Sequence, residues 1–155
     1  MRVYADSNFV MALLVETIHS PEAIRLQLVA GKNQTLPFPI TFLSRLEVLN
    51  VLQLAVFQAR HGVPGTKISP EMALVQETFF LNELELKANF VPVNLSESKL
   101  LTQFQTLIHH HTAKEGFRTY DVLHVASAMV LGCDTFWSFD ARAKRLAQLA
   151  GLAVN

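Results

Sequence analysis

Short β-forming segments alternate with longer helical segments along the whole chain, and this alternation constrains the fold more than any other feature. It is typical of a parallel sheet that is covered by helices on both faces. We therefore predict an α/β protein in which helix far exceeds strand. The predicted strands are short and lie at 2–5, 34–40, 90–93, 135–139 and 152–154.

Prolines, glycines and polar residues set the limits of the predicted elements. Pro37 and Pro39 cannot donate to a sheet ladder, so the second strand should be short or lie at an edge. Thr119 is predicted to cap a helix over 120–131. The segment 62–65, which contains two glycines and a proline, interrupts a long helical stretch.

The composition indicates one globular domain over 1–155. Half of the residues are apolar and 17% are charged, which is the profile of a folded protein. The single cysteine, Cys133, excludes an internal disulfide and a cysteine-based metal site. The N-terminus does not resemble a signal peptide, and no apolar run reaches the roughly 18 residues that a membrane span needs. We therefore expect a soluble cytoplasmic protein with no membrane partner.

The formal net charge is zero. Many nucleic-acid binders carry a basic excess, because phosphate contacts drive their affinity. The neutral balance counts against a general nucleic-acid coating protein, and less against an enzyme that docks a short stretch of nucleic acid. A nucleic acid would have to be held by a local patch, a metal ion or a partner protein.

Two acids follow predicted strands directly. Asp6 comes after the first strand and Asp140 after the strand at 135–139. Ligands of open parallel sheets bind beyond the carboxyl ends of the strands, so these acids are candidates for an active site. The alternative is that each acid only caps the helix that follows.

Two further acids stand alone on apolar helices. Asp121 lies in the first turn of a helix where the helix dipole favours an acid, but a carboxylate at the edge of the core also needs a partner. Glu47 is the only acid between Ile40 and Arg60. It is either a site residue or a solvated position.

Four carboxylates at one sheet edge would repel each other, and some would take up protons. A bound divalent cation removes this conflict, and oxygen-only ligands suit Mg²⁺ or Mn²⁺ rather than Zn²⁺. Such an ion lowers the pKa of a bound water and neutralises charge on a phosphate. The chemistry that these acids suggest is phosphodiester hydrolysis.

Four motifs resemble those of PIN-domain proteins of the VapC toxin type, and the resemblance spans essentially the whole chain. It implies a three-layer α/β/α sandwich with a short central parallel sheet, and Mg²⁺- or Mn²⁺-dependent endoribonuclease activity. Toxins of this family are usually neutralised by a cognate antitoxin and often dimerise. The motifs are Val3–Asn8, Ser44–Asn50, Tyr120–Ala128 and Phe136–Asp140, and the run Ala143–Leu152 matches the last helix and turn.

The resemblance also implies roles for individual residues. It makes Asp6, Glu47, Asp121 and Asp140 the acidic, metal-binding catalytic site, supported by Ser7 and Ser138. Two departures are a loop at 62–69 that looks inserted and the neutral net charge.

Three more residues near these motifs have two interpretations each. His124 lies three residues after Asp121 on the same helix face, where it either acts on the acid as a base or orienting group, or packs beside the core. Arg118 and Arg142 flank the acids and are either phosphate contacts or ordinary solvated charge.

The function predicted from these features is a metal-dependent endoribonuclease, acting on an RNA substrate as the toxin of a toxin–antitoxin pair. The alternative is a catalytically silent PIN-like module that binds RNA or protein. A metal-dependent phosphatase or a DNA-directed nuclease also stays open, because a fold does not fix a function. The surplus of apolar residues between Ser44 and Asn89 predicts a homodimer.

Overall fold

Short strands and helices alternate in the computed structural model, which describes residues 2–63 and 67–155. The strands are β1 Val3–Ala5, β2 Phe38–Ile40, β3 Phe90–Pro92, β4 Thr135–Trp137 and β5 Ala153–Val154. The helices are α1 Ser7–Leu14, α2 Ser20–Lys32, α3 Phe42–Arg60, α4 Pro70–Leu86, α5 Glu97–Leu107, α6 Ala113–Glu115, α7 Thr119–Val130 and α8 Ala141–Leu149, with a π-helical turn Ile108–Thr112 between α5 and α6. The predicted excess of helix over strand is confirmed.

The strand pairs are all parallel, as predicted. β4 lies between β1 and β5, with Tyr4 opposite Phe136 and Phe136 opposite Val154. β2 and β3 form a separate parallel pair, and β2 contacts β1. The strands therefore follow the order β3-β2-β1-β4-β5 across the molecule.

The prolines of the second strand explain why the ladder stops between β2 and β1. Phe38 N donates to Asn89 O at 2.9 Å, and Ile40 O accepts from Val93 N at 2.9 Å, so residues 38 and 40 direct their backbone groups toward β3. Pro39 falls at the alternate position of β2, which faces β1. Since it has no N–H, β2 cannot donate to β1 and is an edge of its own ladder.

The apolar core has two parts, one on each side of the sheet. Val3 and Ala5 point into a cluster formed with α1, α2, α3 and α4. Tyr4 points the other way, into a cluster formed with α5, α7 and α8. This alternation along β1 places helices on both faces, and the predicted three-layer α/β/α arrangement is confirmed.

Several predicted boundaries were wrong. β2 begins at Phe38 rather than at residue 34. β4 ends at Trp137 rather than at residue 139, so Asp140 comes three residues after the strand instead of directly after it. Thr119 is the first residue of α7 and not its cap; the cap is Arg118, whose backbone N donates to the Asp121 carboxylate at 3.1 Å.

The break predicted at 62–65 and the loop predicted at 62–69 both overlap residues 64–66, which lie outside the described residues. In the part of the chain that the structure does describe, no helix combines the length and apolarity that crossing a bilayer requires.

Candidate active site

The carboxyl ends of β1 and β4 bring Asp6 and Asp140 into one neighbourhood. Asp6 N donates to Trp137 O at 3.0 Å, which extends the β1–β4 pairing by one residue. The Ser138 hydroxyl interacts with the Asp6 carboxylate, and Ser138 Oγ accepts from Asp140 N at 2.9 Å. Ser138 is fully buried. The predicted supporting residue therefore connects the two acids that follow the strands.

The Asp6 carboxylate is almost completely shielded from solvent. Only 1% of the residue is exposed, and its Oδ1 accepts from Phe9 N at 2.9 Å. Burial raises the pKa of Asp6, and the Asp140 charge acts in the same direction. His124, Ser138 and the Phe9 N–H oppose the rise but do not cancel it. A cation at this position would stabilise the ionised form, which the protein alone stabilises incompletely.

Asp6 and Asp140 also cap helices, as the alternative interpretation predicted. Asp6 caps α1, and Asp140 Oδ1 caps α8 by accepting from Arg142 N at 2.7 Å and Ala143 N at 3.3 Å. Capping involves Oδ1 of each side chain. The cap and the site are therefore compatible roles for the same two residues.

Glu47 joins this neighbourhood from α3. Its Oε2 is hydrogen-bonded to Nε2 of His124, and the Ser7 hydroxyl interacts with the same carboxylate. Burial acts to raise the pKa of Glu47, but the bonds from His124 and Ser7 outweigh it and lower the pKa. Glu47 is thus held as a carboxylate beside the His124 ring.

His124 belongs to a chain of buried polar groups. Its Nδ1 lies 2.9 Å from Tyr4 Oη, which lies 2.9 Å from Ser44 Oγ, and Ser44 Oγ lies 2.8 Å from Thr41 Oγ1. Burial acts to lower the pKa of His124, but Tyr4, Glu47 and Asp6 outweigh it and raise the pKa to about 10. An imidazolium is therefore the cation that faces Glu47.

Tyr4 and Ser44 were not predicted as site residues. The available signal was the tyrosine itself, since a buried tyrosine usually finds a partner for its hydroxyl. Ser44 gave a weaker signal. It shares the buried face of α3 with Val48 and Leu52, and a polar residue in such a row also needs a partner.

Asp121 makes no direct contact with the other three acids. Its Oδ2 accepts from Arg118 N in the first turn of α7, one turn before His124. Among residues 2–63 and 67–155, it makes no hydrogen bond or ion pair with Asp6, Glu47 or Asp140. Within the same ranges, no group of three or more His, Cys, Asp or Glu side chains is arranged so that it could hold a metal ion.

The donor chemistry of the Asp6–Asp140 pair fits a hard divalent cation. Mg²⁺ prefers oxygen ligands, and it is usually held by one or two carboxylates while keeping several waters. Asp6 and Asp140 supply two carboxylates of like charge, one of them with a raised pKa. Glu47 fits such an ion less well, because His124 already neutralises it.

The arginines predicted as phosphate contacts lie on the surface. Arg142 Nη2 donates to Gly116 O at 2.7 Å, which ties α8 to the segment before α7. Further along α8, Arg145 pairs with Glu115 at 3.3 Å and Lys144 Nζ donates to Asn155 O at 3.1 Å. Exposed contacts of this kind are weak, so a phosphate could displace them at small cost.

Comparison with solved structures shows a similarity in fold. The chain resembles VapC20 of Mycobacterium tuberculosis, described as a sarcin-ricin loop cleaving toxin, with a TM-score of 0.61 and 16% sequence identity, over 97% of this chain and 96% of that chain. No protein-family model matches the chain, and no curated protein matches it. At this identity the similarity concerns the fold. The chain has the VapC-type PIN fold, as its motifs predicted.

Proposed function

We propose that the protein is an endoribonuclease that hydrolyses RNA phosphodiester bonds at the sheet edge formed by Asp6 and Asp140. The observation that carries the proposal is the buried Asp6 carboxylate, which has a raised pKa and is linked through Ser138 to a second acid. Ionisable groups with perturbed pKa values concentrate at functional sites, and strand ends are where ligands of open parallel sheets bind.

The proposed cofactor is Mg²⁺ or Mn²⁺, held by Asp6 and Asp140 with Glu47 and Asp121 beside them. Such an ion lowers the pKa of a bound water and neutralises charge that develops on a phosphate. The Phe9 N–H and the Ser138 hydroxyl hold Asp6 in place, and His124 and Ser7 hold Glu47. These contacts orient the acids before any substrate arrives.

The biological setting that we propose is a cytoplasmic toxin–antitoxin pair. The fold shared with VapC20, which is described as a sarcin-ricin loop cleaving toxin, supports both RNA as the substrate and a cognate antitoxin as a partner. Arg118 and Arg142 are the proposed phosphate contacts, because both are exposed and both lie within three residues of a site acid.

The alternative is a catalytically silent PIN-like module that binds RNA or protein. Two observations favour it: His124 already neutralises Glu47, and Asp121 does not contact the other acids. The two functions differ in metal binding. A silent module takes up no Mg²⁺ or Mn²⁺ at millimolar concentration in a calorimetric titration, whereas the proposed enzyme does.

The test of the proposed function is a panel of structured RNAs, incubated with the purified protein with and without Mg²⁺ or Mn²⁺. We expect cleavage only with metal, and we expect Asp121→Asn to lower the rate about 100-fold or more, because it removes one charge from the site. The circular dichroism spectrum of the variant should be unchanged. The matched control is Glu22→Gln, which neutralises an exposed acid on α2 and should leave cleavage intact. Unchanged cleavage by Asp121→Asn would remove Asp121 from the site.

A homodimer through α3 and α4 is also proposed. These helices pack against each other and expose many large apolar side chains, and grouped apolar side chains on a surface often mark an interaction site. We expect a solution mass of twice 17.3 kDa in sedimentation experiments at micromolar concentration. The exposed large apolar side chains of α3 and α4 are Phe42, Leu46, Leu54, Phe57, Met72, Leu74, Val75, Phe79 and Leu86.

A pair of leucines tests which surface makes the dimer. Leu74 on α4 and Leu28 on α2 are both 62% exposed. Leu74→Glu should dissociate the dimer, and Leu28→Glu should not. A wild-type mass of 17.3 kDa at these concentrations would contradict the dimer.

A further inference from the structure

A cavity of about 250 Å³ opens beside Asp140. Its lining includes Asn8, Thr17, His19 and Phe139 as well as Asp140. We propose that this cavity binds an unpaired base of the RNA strand next to the phosphate that is cut. The inference rests on the proposed function, and it adds a subsite that recognises one base of the RNA substrate.

A column of parallel rings forms the aromatic wall of the cavity. His19 stacks on Phe139 with 4.4 Å between ring centroids and 7° between planes, and Phe139 stacks on Phe9 at 5.6 Å and 9°. Phe9 is fully buried in the core, whereas His19 is exposed. The column therefore presents the His19 ring to solvent, and the two phenylalanine rings behind it hold it in place. Unpaired RNA bases bind proteins by stacking on such rings, including histidine.

The loop between α1 and α2 is fixed before a ligand binds. Thr17 N donates to Ser20 Oγ at 2.9 Å, and Ser20 Oγ donates to Val15 O at 3.0 Å. His19 N donates to Thr17 Oγ1 at 3.2 Å. These bonds hold the His19 backbone at the rim of the cavity, so little conformational entropy is lost when a base enters.

The polar groups of the cavity suit the edge of a base. Asn8 is exposed in the first turn of α1, and its carboxamide can both donate and accept, as can the Thr17 hydroxyl. This mixture matches the donors and acceptors on base edges. Asn8 follows Asp6 by two residues, so a base that it contacts lies close to the acids.

A phosphate fits the same cavity poorly. The described residues that line it include the Asp140 carboxylate and no lysine or arginine, so a phosphate would meet repulsion without a compensating cation. The volume of the cavity is below the roughly 300–1,000 Å³ of pockets that take whole small molecules. A single uncharged ring system fits both the small volume and the lack of a cation in the lining. Because Asp140 belongs to the cavity and to the acid pair, a base bound there places its own phosphodiester at the acids.

The test uses single-stranded RNA oligonucleotides that carry one 2-aminopurine at each position in turn, mixed with the protein in EDTA. Stacking changes the fluorescence of this base, and EDTA prevents metal-dependent cleavage. We expect the change at one position only, and about ten-fold weaker binding of that oligonucleotide by His19→Ala. The matched control is His61→Ala, since exposed His61 also packs against a phenylalanine ring, that of Phe57, with 4.0 Å between ring centroids but 31° between planes. It should leave binding and fluorescence unchanged.

A second arm separates the failure of this inference from the failure of the proposed function. With Mg²⁺ present, fragments of a randomised RNA are sequenced, and we expect wild type to prefer certain bases at one position and Asn8→Ala to weaken that preference. Suppose that RNA is cleaved, but no base is preferred and no fluorescence change is lost in His19→Ala. This result would overturn the base site and support the nuclease. Suppose instead that a fluorescence change is lost in His19→Ala, but no RNA is cleaved. This result would support the base site and overturn the nuclease.

Discussion

Asp6→Asn is expected to lower the rate of RNA cleavage by about 10³-fold, since a few kcal/mol of transition-state stabilisation depends on the charge of this carboxylate. Asp6 is the acid with the strongest claim on the site, because it is buried at the end of β1 and both Ser138 and Asp140 act on it. The measurement is the single-turnover rate of cleavage on the best RNA of the panel, with saturating Mg²⁺.

The same substitution should not destabilise the fold. Burial disfavours the charged form of Asp6, which is why its pKa is raised, and a neutral amide of the same shape removes that penalty. Asparagine also caps helices well, so its Oδ1 can still accept from Phe9 N. We expect a thermal midpoint equal to or above that of wild type. Lost activity together with a lowered midpoint would indicate a structural role instead.

The matched control is Asp134→Asn. Asp134 precedes β4 and accepts from Arg2 N at 3.1 Å, so it lies at the amino end of the strand whose carboxyl end leads to Ser138. Neutralising an acid at that opposite edge should leave the cleavage rate within about two-fold of wild type, because the acid is not at the site. A two-fold change in rate corresponds to less than 1 kcal/mol in activation free energy. Equal activities of Asp6→Asn and wild type would refute the proposed site.

The layered fold was predictable because it depends on local patterns. The alternation of strands with helices fixes the parallel sheet, and the alternation of Val3, Tyr4 and Ala5 fixes its two faces. The end of β4 was not predictable in the same way. Ser138 N donates to Asn155 Oδ1 at 2.9 Å, a contact with a residue 17 positions later, so no local pattern at 135–139 reveals it.

The candidate site was predictable in part for the same reason. Asp6 and Asp140 follow from the rule for strand ends, and Ser7 and Ser138 follow from the motifs around them. The pairing of Glu47 with His124 joins residues 77 positions apart and depends on how α3 and α7 meet at the sheet edge. The sequence places His124 on the same helix face as Asp121, but only the packing shows that His124 binds Glu47.

His124→Leu is expected to lower the free energy of unfolding by about 3 kcal/mol, at the lower end of the cost of removing one partner from a buried ion pair. The lower end applies because the Glu47 side chain keeps 20% of its exposure and can regain some water. The change also removes the His124 contact of Tyr4 Oη, although Ser44 still contacts that hydroxyl. The measurement is urea unfolding at pH 7 in EDTA, with the midpoint and slope compared to wild type.

The double variant Glu47→Leu/His124→Leu distinguishes a lost ion pair from lost packing. Replacing both members of a buried pair by apolar residues is often neutral, so the double variant should recover most of the lost stability. Its RNA cleavage should nevertheless stay impaired, because Glu47 is part of the acidic site. A double variant that is no more stable than His124→Leu would show that the ring matters for its shape and not for its charge.

The pH dependence of unfolding tests whether His124 carries that charge. Below its ordinary pKa of 6.5, His124 is protonated in the folded and unfolded chain, and the interactions that raise its pKa contribute in full. As the pH rises from 6.5 toward the folded-state pKa of about 10, the folded protein keeps a proton that the unfolded chain has lost. The free energy of unfolding of wild type should therefore fall by up to about 1.4 kcal/mol per pH unit across this window. His124→Leu removes the titrating group and should flatten the fall, so parallel profiles for the two proteins would contradict a charged His124.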